Sequence, residues 1–255
     1  MIHAMELHAE RRGHGPRLVL VHGFTQSSRC WGPVADELAT DHEVVQVDAP
    51  GHAGSTQVVS DLPGGARLIG DVGERATYLG YSMGGRYCLH LALDRPELVA
   101  GLVLLGATAG LTDPAERVAR HQQDLGAATR LRRDGLEVFI DDWLAQPLFA
   151  GIPAERTFRA ERLRNTVEGL ATSLERAGTG AQEPLWDALP ALQMPVLVVA
   201  GAHDEKFADL GARMVSAIGP NATLARIDGA GHAAHLERPE RFLATLRPWL
   251  AEHEG

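Results

Sequence analysis

Tyr78-Leu79-Gly80-Tyr81-Ser82-Met83-Gly84-Gly85-Arg86 is the stretch that decides the fold. Arg75–Gly80 reads as a buried strand and Met83–Arg95 as a helix, so Gly80-Tyr81-Ser82-Met83-Gly84 is a G-x-S-x-G element wedged between them. In that setting the flanking glycines let the chain turn sharply and lift the serine hydroxyl above the end of a sheet, forming a nucleophile elbow. A Gly-rich turn whose serine only caps the helix is the plain alternative. The motif alone says little; its place between strand and helix carries the reading.

Outward from the elbow, short apolar runs alternate with helix-length periodic segments, the pattern of a parallel sheet with helices on both faces. Strands are predicted at Arg17–His22, Glu43–Val47, Arg75–Gly80, Val99–Leu105, Val196–Ala200 and Thr223–Ile227. Helices are predicted near Trp31–Ala39, Leu62–Gly70, Met83–Arg95, Phe207–Ile218 and Arg238–Ala251, with Pro239 suited to the first turn of the last. Right-handed crossovers between parallel strands make the sheet doubly wound. From about Leu111 to Glu183 the alternation stops, and Arg, Ala, Leu and Glu recur with helical periodicity. A helical insertion between two core strands reads as a cap over their C-terminal ends, where open α/β sheets bind ligands. Residues 1–110 and 184–255 are assigned to the core and 111–183 to the cap. Only Glu252–Gly255 reads as frayed.

The 255 residues fit one large α/β unit, and no apolar run approaches the ~20 residues that span a bilayer. Met1–Glu10 lacks the apolar core of a signal peptide. Cys30 and Cys88 are too few for a disulfide framework and read as reduced thiols of a cytoplasmic protein. A net charge of −9 argues against nucleic acid or an anionic membrane as partner. Monomer and homodimer both fit. Of the 24 basic residues, Lys206 is the sole lysine, so where the arginines fall matters more than their number.

A serine hydroxyl is a poor nucleophile or base unless a neighbour takes its proton. Behind such an elbow the partners follow in the chain order acid, then histidine. Gly201-Ala202-His203-Asp204 follows the strand at Val196–Ala200, and Gly229-Ala230-Gly231-His232 precedes the last helix. Ser82, Asp204 and His232 are therefore the expected catalytic set, with His232 relaying the proton and Asp204 orienting the imidazole. His22-Gly23-Phe24 ends the first strong strand and would present the Phe24 backbone N–H, which with that of Met83 makes an oxyanion hole. His22 and His203 lie beside the site as false leads. His52, in Asp48-Ala49-Pro50-Gly51-His52-Ala53-Gly54-Ser55, reads as part of a structural turn.

Together these motifs resemble the α/β-hydrolase superfamily over essentially the whole chain. This implies a doubly wound, mostly parallel sheet with a helical cap inserted between core strands. A narrower resemblance is to the 2-succinyl-6-hydroxy-2,4-cyclohexadiene-1-carboxylate synthase family of menaquinone biosynthesis. It is carried by Gly80–Arg86, by Trp143-Leu144-Ala145-Gln146-Pro147-Leu148-Phe149, by Arg164…Gly169-Leu170 with Gly178-Thr179-Gly180-Ala181-Gln182, and by Asp204-Glu205-Lys206-Phe207. The resemblance implies a lyase that eliminates pyruvate from an enolpyruvyl-cyclohexene substrate, with no cofactor and no metal. It also implies that Arg86, Arg120 and Arg164 meet substrate carboxylates while Tyr81, Trp143 and Lys206 line the same pocket. Such a small anionic substrate suits planar guanidinium donors. Ala53 departs from the pattern, standing where glycine is frequent.

Other readings stay open on the residues alone. Arg86 could make an exposed ion pair, and Trp143 could be cap core. Arg130, Arg132 and Arg133 read as a solvated helical face. The cap holds twelve acids (Asp113 to Glu183) against ten arginines (Arg117 to Arg176), so specific arginines rather than a general positive field must hold an anion. The same serine, acid and histidine also serve a hydrolase of carboxylic esters or of carbon–carbon bonds beside a ketone. A non-catalytic ligand-binding module is the third reading, and it has no need of all three residues.

Overall fold

The computed structural model describes residues 6–253. The expectations for the first five residues and for residues 254–255 lie outside the described part. Seven strands form one sheet: β1 (Ala9–Gly13), β2 (Arg17–Val21), β3 (Glu43–Val47), β4 (Ala76–Tyr81), β5 (Val99–Leu105), β6 (Val196–Gly201) and β7 (Ala222–Ile227). Their spatial order is β1-β3-β2-β4-β5-β6-β7, with β1 antiparallel to β3 and every other pairing parallel. β1 is a strand that the apolar pattern does not predict. It is an edge strand, Ala-Glu-Arg-Arg-Gly, and charged edge residues discourage pairing with another chain.

The core follows from side chains alternating across the sheet. Val19, Val21, Tyr78, Leu102, Leu104, Val196 and Val198 face one side. There they meet α2 (Leu62–Gly73), α3 (Met83–Asp94) and α8 (Glu205–Ile218). Leu18, Leu20, Leu79, Val103, Leu105, Leu197 and Val199 face the other, against α1 (Gly32–Leu38) and α10 (Pro239–His253). Because both faces are covered, β4 and β6 are buried along their whole length and read as unbroken apolar runs. The helix expected from Trp31 starts as a 3₁₀ turn over Ser28–Trp31, and Pro33 enters α1 in its first turn. One further turn of helix, α9 (Ala234–Glu237), precedes α10.

Four helices separate β5 from β6: α4 (Pro114–Asp134), α5 (Leu136–Leu144), α6 (Arg159–Arg162) and α7 (Val167–Ala177). Asp113 and Thr166 cap α4 and α7 by accepting the amides of Ala115 and Gly169. Ala128, Leu131, Phe139, Ile140, Leu170 and Leu174 give this cap its own small core. Polar ties fasten it to the sheet layer. Asn165 donates to Thr25 O (2.7 Å) and accepts from Ala53 N–H (2.9 Å), and Arg86 donates to Ala177 O (2.8 Å). Among the described residues no helix is long and apolar enough to cross a membrane.

Candidate active site

Ser82 sits between β4 and α3 with φ 51° and ψ −107°, in the left-handed region that a non-glycine residue occupies only under constraint. The constraint is crowding. A Cβ on Gly84 would collide with the Val21 carbonyl, and one on Gly80 with the backbone of Gly84 and Gly85. The Ser82 amide is held by Leu105 O at 2.8 Å, which fixes the elbow at the C-terminal edge of the sheet.

Asp204 follows β6 and also caps α8, accepting from Phe207 N–H at 3.3 Å. Its other oxygen lies 2.7 Å from His232 Nδ1, and His232 Nε2 lies 3.2 Å from Ser82 Oγ. With Nδ1–H donating to the carboxylate, Nε2 is left to accept the serine proton. His232 is buried among Tyr81 and Phe207, whose ring centroids lie 5.5 and 4.5 Å away. A serine, an imidazole and a carboxylate in hydrogen-bonded series can activate a hydroxyl. Phe24 and Met83 line the cavity over Ser82, and neither amide donates a hydrogen bond within the described residues.

The other histidines differ. His22 is fully buried; its Nδ1–H meets Gly23 O (2.8 Å) and its Nε2 accepts from Ala49 N–H (3.0 Å). His52 is bonded to Pro50 O, outside the cavity wall, and burial lowers its pKa to about 3. His203 is exposed.

Ser82 opens into a cavity of about 330 Å³ between sheet and cap. Tyr81, Arg86, Arg120, Trp143 and Lys206 all line it. Arg86, the fourth residue of α3, is buried; desolvation lowers its pKa to about 10, and it donates to a carbonyl, Ala177 O. Arg120 is paired with the buried Asp124 (2.9 Å). Trp143 packs on Phe24 at 5.0 Å, with its indole N–H unpartnered. Lys206 is exposed at the rim.

Arg164 needs correcting. It is half exposed, pairs with Glu161 at 3.2 Å, and does not line the cavity. Arg162 does: only 2% exposed, it donates to Thr25 Oγ1 and to Thr157 O, and burial lowers its pKa. Arg162 is the last residue of α6, whereas Arg164 lies in the turn that follows it. Neither Arg86 nor Arg162 has a carboxylate partner among the described residues. Asp124 and Gln26 also line the cavity without a sequence signal that singles them out. Arg132 and Arg133 do form a solvated face, paired with Glu168, Glu175 and Asp134.

A sequence profile of the alpha/beta hydrolase family matches residues 18–245. A putative 2-succinyl-6-hydroxy-2,4-cyclohexadiene-1-carboxylate synthase of Bacillus subtilis is 34% identical to this chain, covering 88% of it and 86% of its own length. The synthase of that name from Salmonella heidelberg is also 34% identical, covering 96% and 97%. The structure of MenH from S. aureus matches with a TM-score of 0.89 at 28% identity, covering 98% of this chain and 99% of its own. The chain belongs to the alpha/beta hydrolase family, within the branch that contains the 2-succinyl-6-hydroxy-2,4-cyclohexadiene-1-carboxylate synthases.

Proposed function

We propose that this protein is a lyase that eliminates pyruvate from a polycarboxylate enolpyruvyl-cyclohexene, as the names of its relatives suggest. The observation that carries the reading is the pair of buried guanidiniums, Arg86 and Arg162, in the wall of the cavity over Ser82, neither of them in direct ion-pair contact with a carboxylate among the described residues. Burying a cation without a counter-ion costs several kcal/mol, a penalty that a bound carboxylate offsets. Lys206 adds positive charge nearby, while Arg120 shares its charge with Asp124. Arg162, and not Arg164, takes the anion-binding role, and the enzyme works in the cytoplasm as a monomer or homodimer.

Ser82 acts as general base and passes the ring proton to His232 Nε2, while Asp204 steadies the imidazolium. The C–H electrons move into the ring as a new double bond, and the C–O bond to the enolpyruvyl group breaks. The departing enolate takes up a proton and ketonises to pyruvate. Phe24 and Met83 N–H stabilise the enolate charge that develops as the proton leaves. Tyr81 and Trp143 wall the ring.

The test is pyruvate release, coupled to lactate dehydrogenase, with substrate made fresh by the preceding enzyme and a no-enzyme control. Release well above background, abolished in Ser82→Ala and reduced at least tenfold in Arg86→Ala, is the expected result. A rate in Arg86→Ala equal to the parent's would sink the anion-binding role. A second reading, an ester or carbon–carbon bond hydrolase, is favoured by the two unengaged amides of Phe24 and Met83. It requires Ser82-dependent ester cleavage with no pyruvate formed.

A further inference from the structure

The loop that carries His232 is irregular. It runs from the end of β7 into the single turn of α9, and Ala233 has φ −101° and ψ 54°. Its amides have no ladder to join, yet buried N–H groups need acceptors. Two of them find the same side chain. Glu237 Oε2 accepts from Gly231 N–H at 2.6 Å and Oε1 accepts from Ala233 N–H at 3.0 Å. These are the amides of the residues immediately before and after His232.

Glu237 is 3% exposed; Arg238 donates to its backbone carbonyl at 2.7 Å, but its carboxylate has no Lys, Arg or His partner among the described residues. A buried carboxylate without a counter-cation is an expensive way to fill space, and an apolar side chain would serve packing better. What a carboxylate adds is two charge-assisted bonds at once, shorter and roughly twice as strong as neutral ones. The cap closes over the pair. Gly151 lies against the carboxylate, so that a Cβ there would run into Glu237 Oε2, and Arg156 donates to Leu236 O at 3.4 Å.

We infer that Glu237 is a positioning residue for His232: its carboxylate holds the peptide groups on both sides of the histidine and so sets the imidazole against Ser82 and Asp204. The 3.2 Å contact to Ser82 Oγ and the 2.7 Å contact to Asp204 depend on that aim. A misplacement of about 1 Å can cost 10²-fold in rate. The inference rests on His232 being the proton carrier. It does not require the lyase reading.

The experiment compares Glu237→Gln, Glu237→Leu and Gly151→Ala with the parent protein and with Ser82→Ala and His232→Ala. Two rates are read: phosphonylation of Ser82 by a fluorophosphonate, and kcat and KM of whichever Ser82-dependent turnover the protein supports. Glutamine keeps one acceptor but turns an NH2 toward the second amide, so Glu237→Gln should lose about tenfold in both phosphonylation rate and kcat. Glu237→Leu should lose about a hundredfold, and Gly151→Ala, which pushes the carboxylate aside, should move in the same direction. KM should stay within twofold. If Glu237→Leu does not fold, Glu237→Gln and Gly151→Ala carry the test. Folded variants that keep kcat and phosphonylation within twofold of the parent, whatever their melting temperatures, would overturn the inference. Ser82 labelling that needs His232, without pyruvate release, would overturn the lyase reading alone. Labelling indifferent to His232→Ala would overturn the proton-carrier assignment and this inference with it.

Discussion

Ser82 and Ala53 both hold φ in the left-handed region, at 51° and 39°, and the two cases differ in consequence. At Ser82 the strain aims a hydroxyl. At Ala53 the bond to the cap is made by the backbone N–H, which donates to Asn165 Oδ1, and so does not need the side chain. The left-handed conformation costs a residue with a Cβ roughly 1–2 kcal/mol, partly offset in a glycine variant by the greater freedom of the unfolded chain. Ala53→Gly should raise the urea-unfolding free energy by about 1 kcal/mol; a loss of stability would show that the Cβ is held by packing instead. At this scale the serine, acid and histidine were legible, because chain order and strand-end placement constrain them. The choice between Arg162 and Arg164 was not, because Arg162 closes a one-turn helix and Arg164 lies in the turn beyond it, and four residues are too few to display a periodicity.

The central strands were the most legible elements. β2, β4, β5 and β6 announce themselves as apolar runs, whereas β1 is charged and pairs along one edge only. The cap shows helical periodicity, but its docking depends on single polar contacts that no pattern displays. Asn165 is the chief of these. It is buried and bridges Thr25 O, Ala53 N–H and Arg162 O, joining cap to two core loops. Asn165→Ala would leave a buried donor and acceptors unpaired, each worth about 1–3 kcal/mol. The expected loss is about 3 kcal/mol in urea unfolding, with faster proteolysis between α5 and α7. A loss under about 0.5 kcal/mol would mean that water replaces the amide at no penalty.

For the molecule as a whole, acidification sets two effects against each other. Protonating carboxylates relieves the repulsion of a net −9 charge, but surface charges are screened beyond roughly 10 Å at 0.1 M salt. Buried histidines act in the other direction without such screening. Burial lowers His52 and His235 to about 3, with nearby cations or histidines assisting, and lowers His90 to about 4. The folded state therefore refuses protons that the unfolded chain accepts below about pH 6.5. Stability should be flat above about pH 7 and fall as pH drops from 6.5 toward 4, each such histidine contributing about 1.4 kcal/mol per pH unit. His235 tests the account cleanly. Its ring lies among Trp31, Tyr81 and Phe242, and its Nδ1 has no partner, so phenylalanine can replace it in shape. Between pH 6.5 and 5 the His235→Phe variant should lose about 2 kcal/mol less than the parent in urea titrations. Parallel pH curves for the two would assign the acid sensitivity to the carboxylates and not to the buried imidazoles.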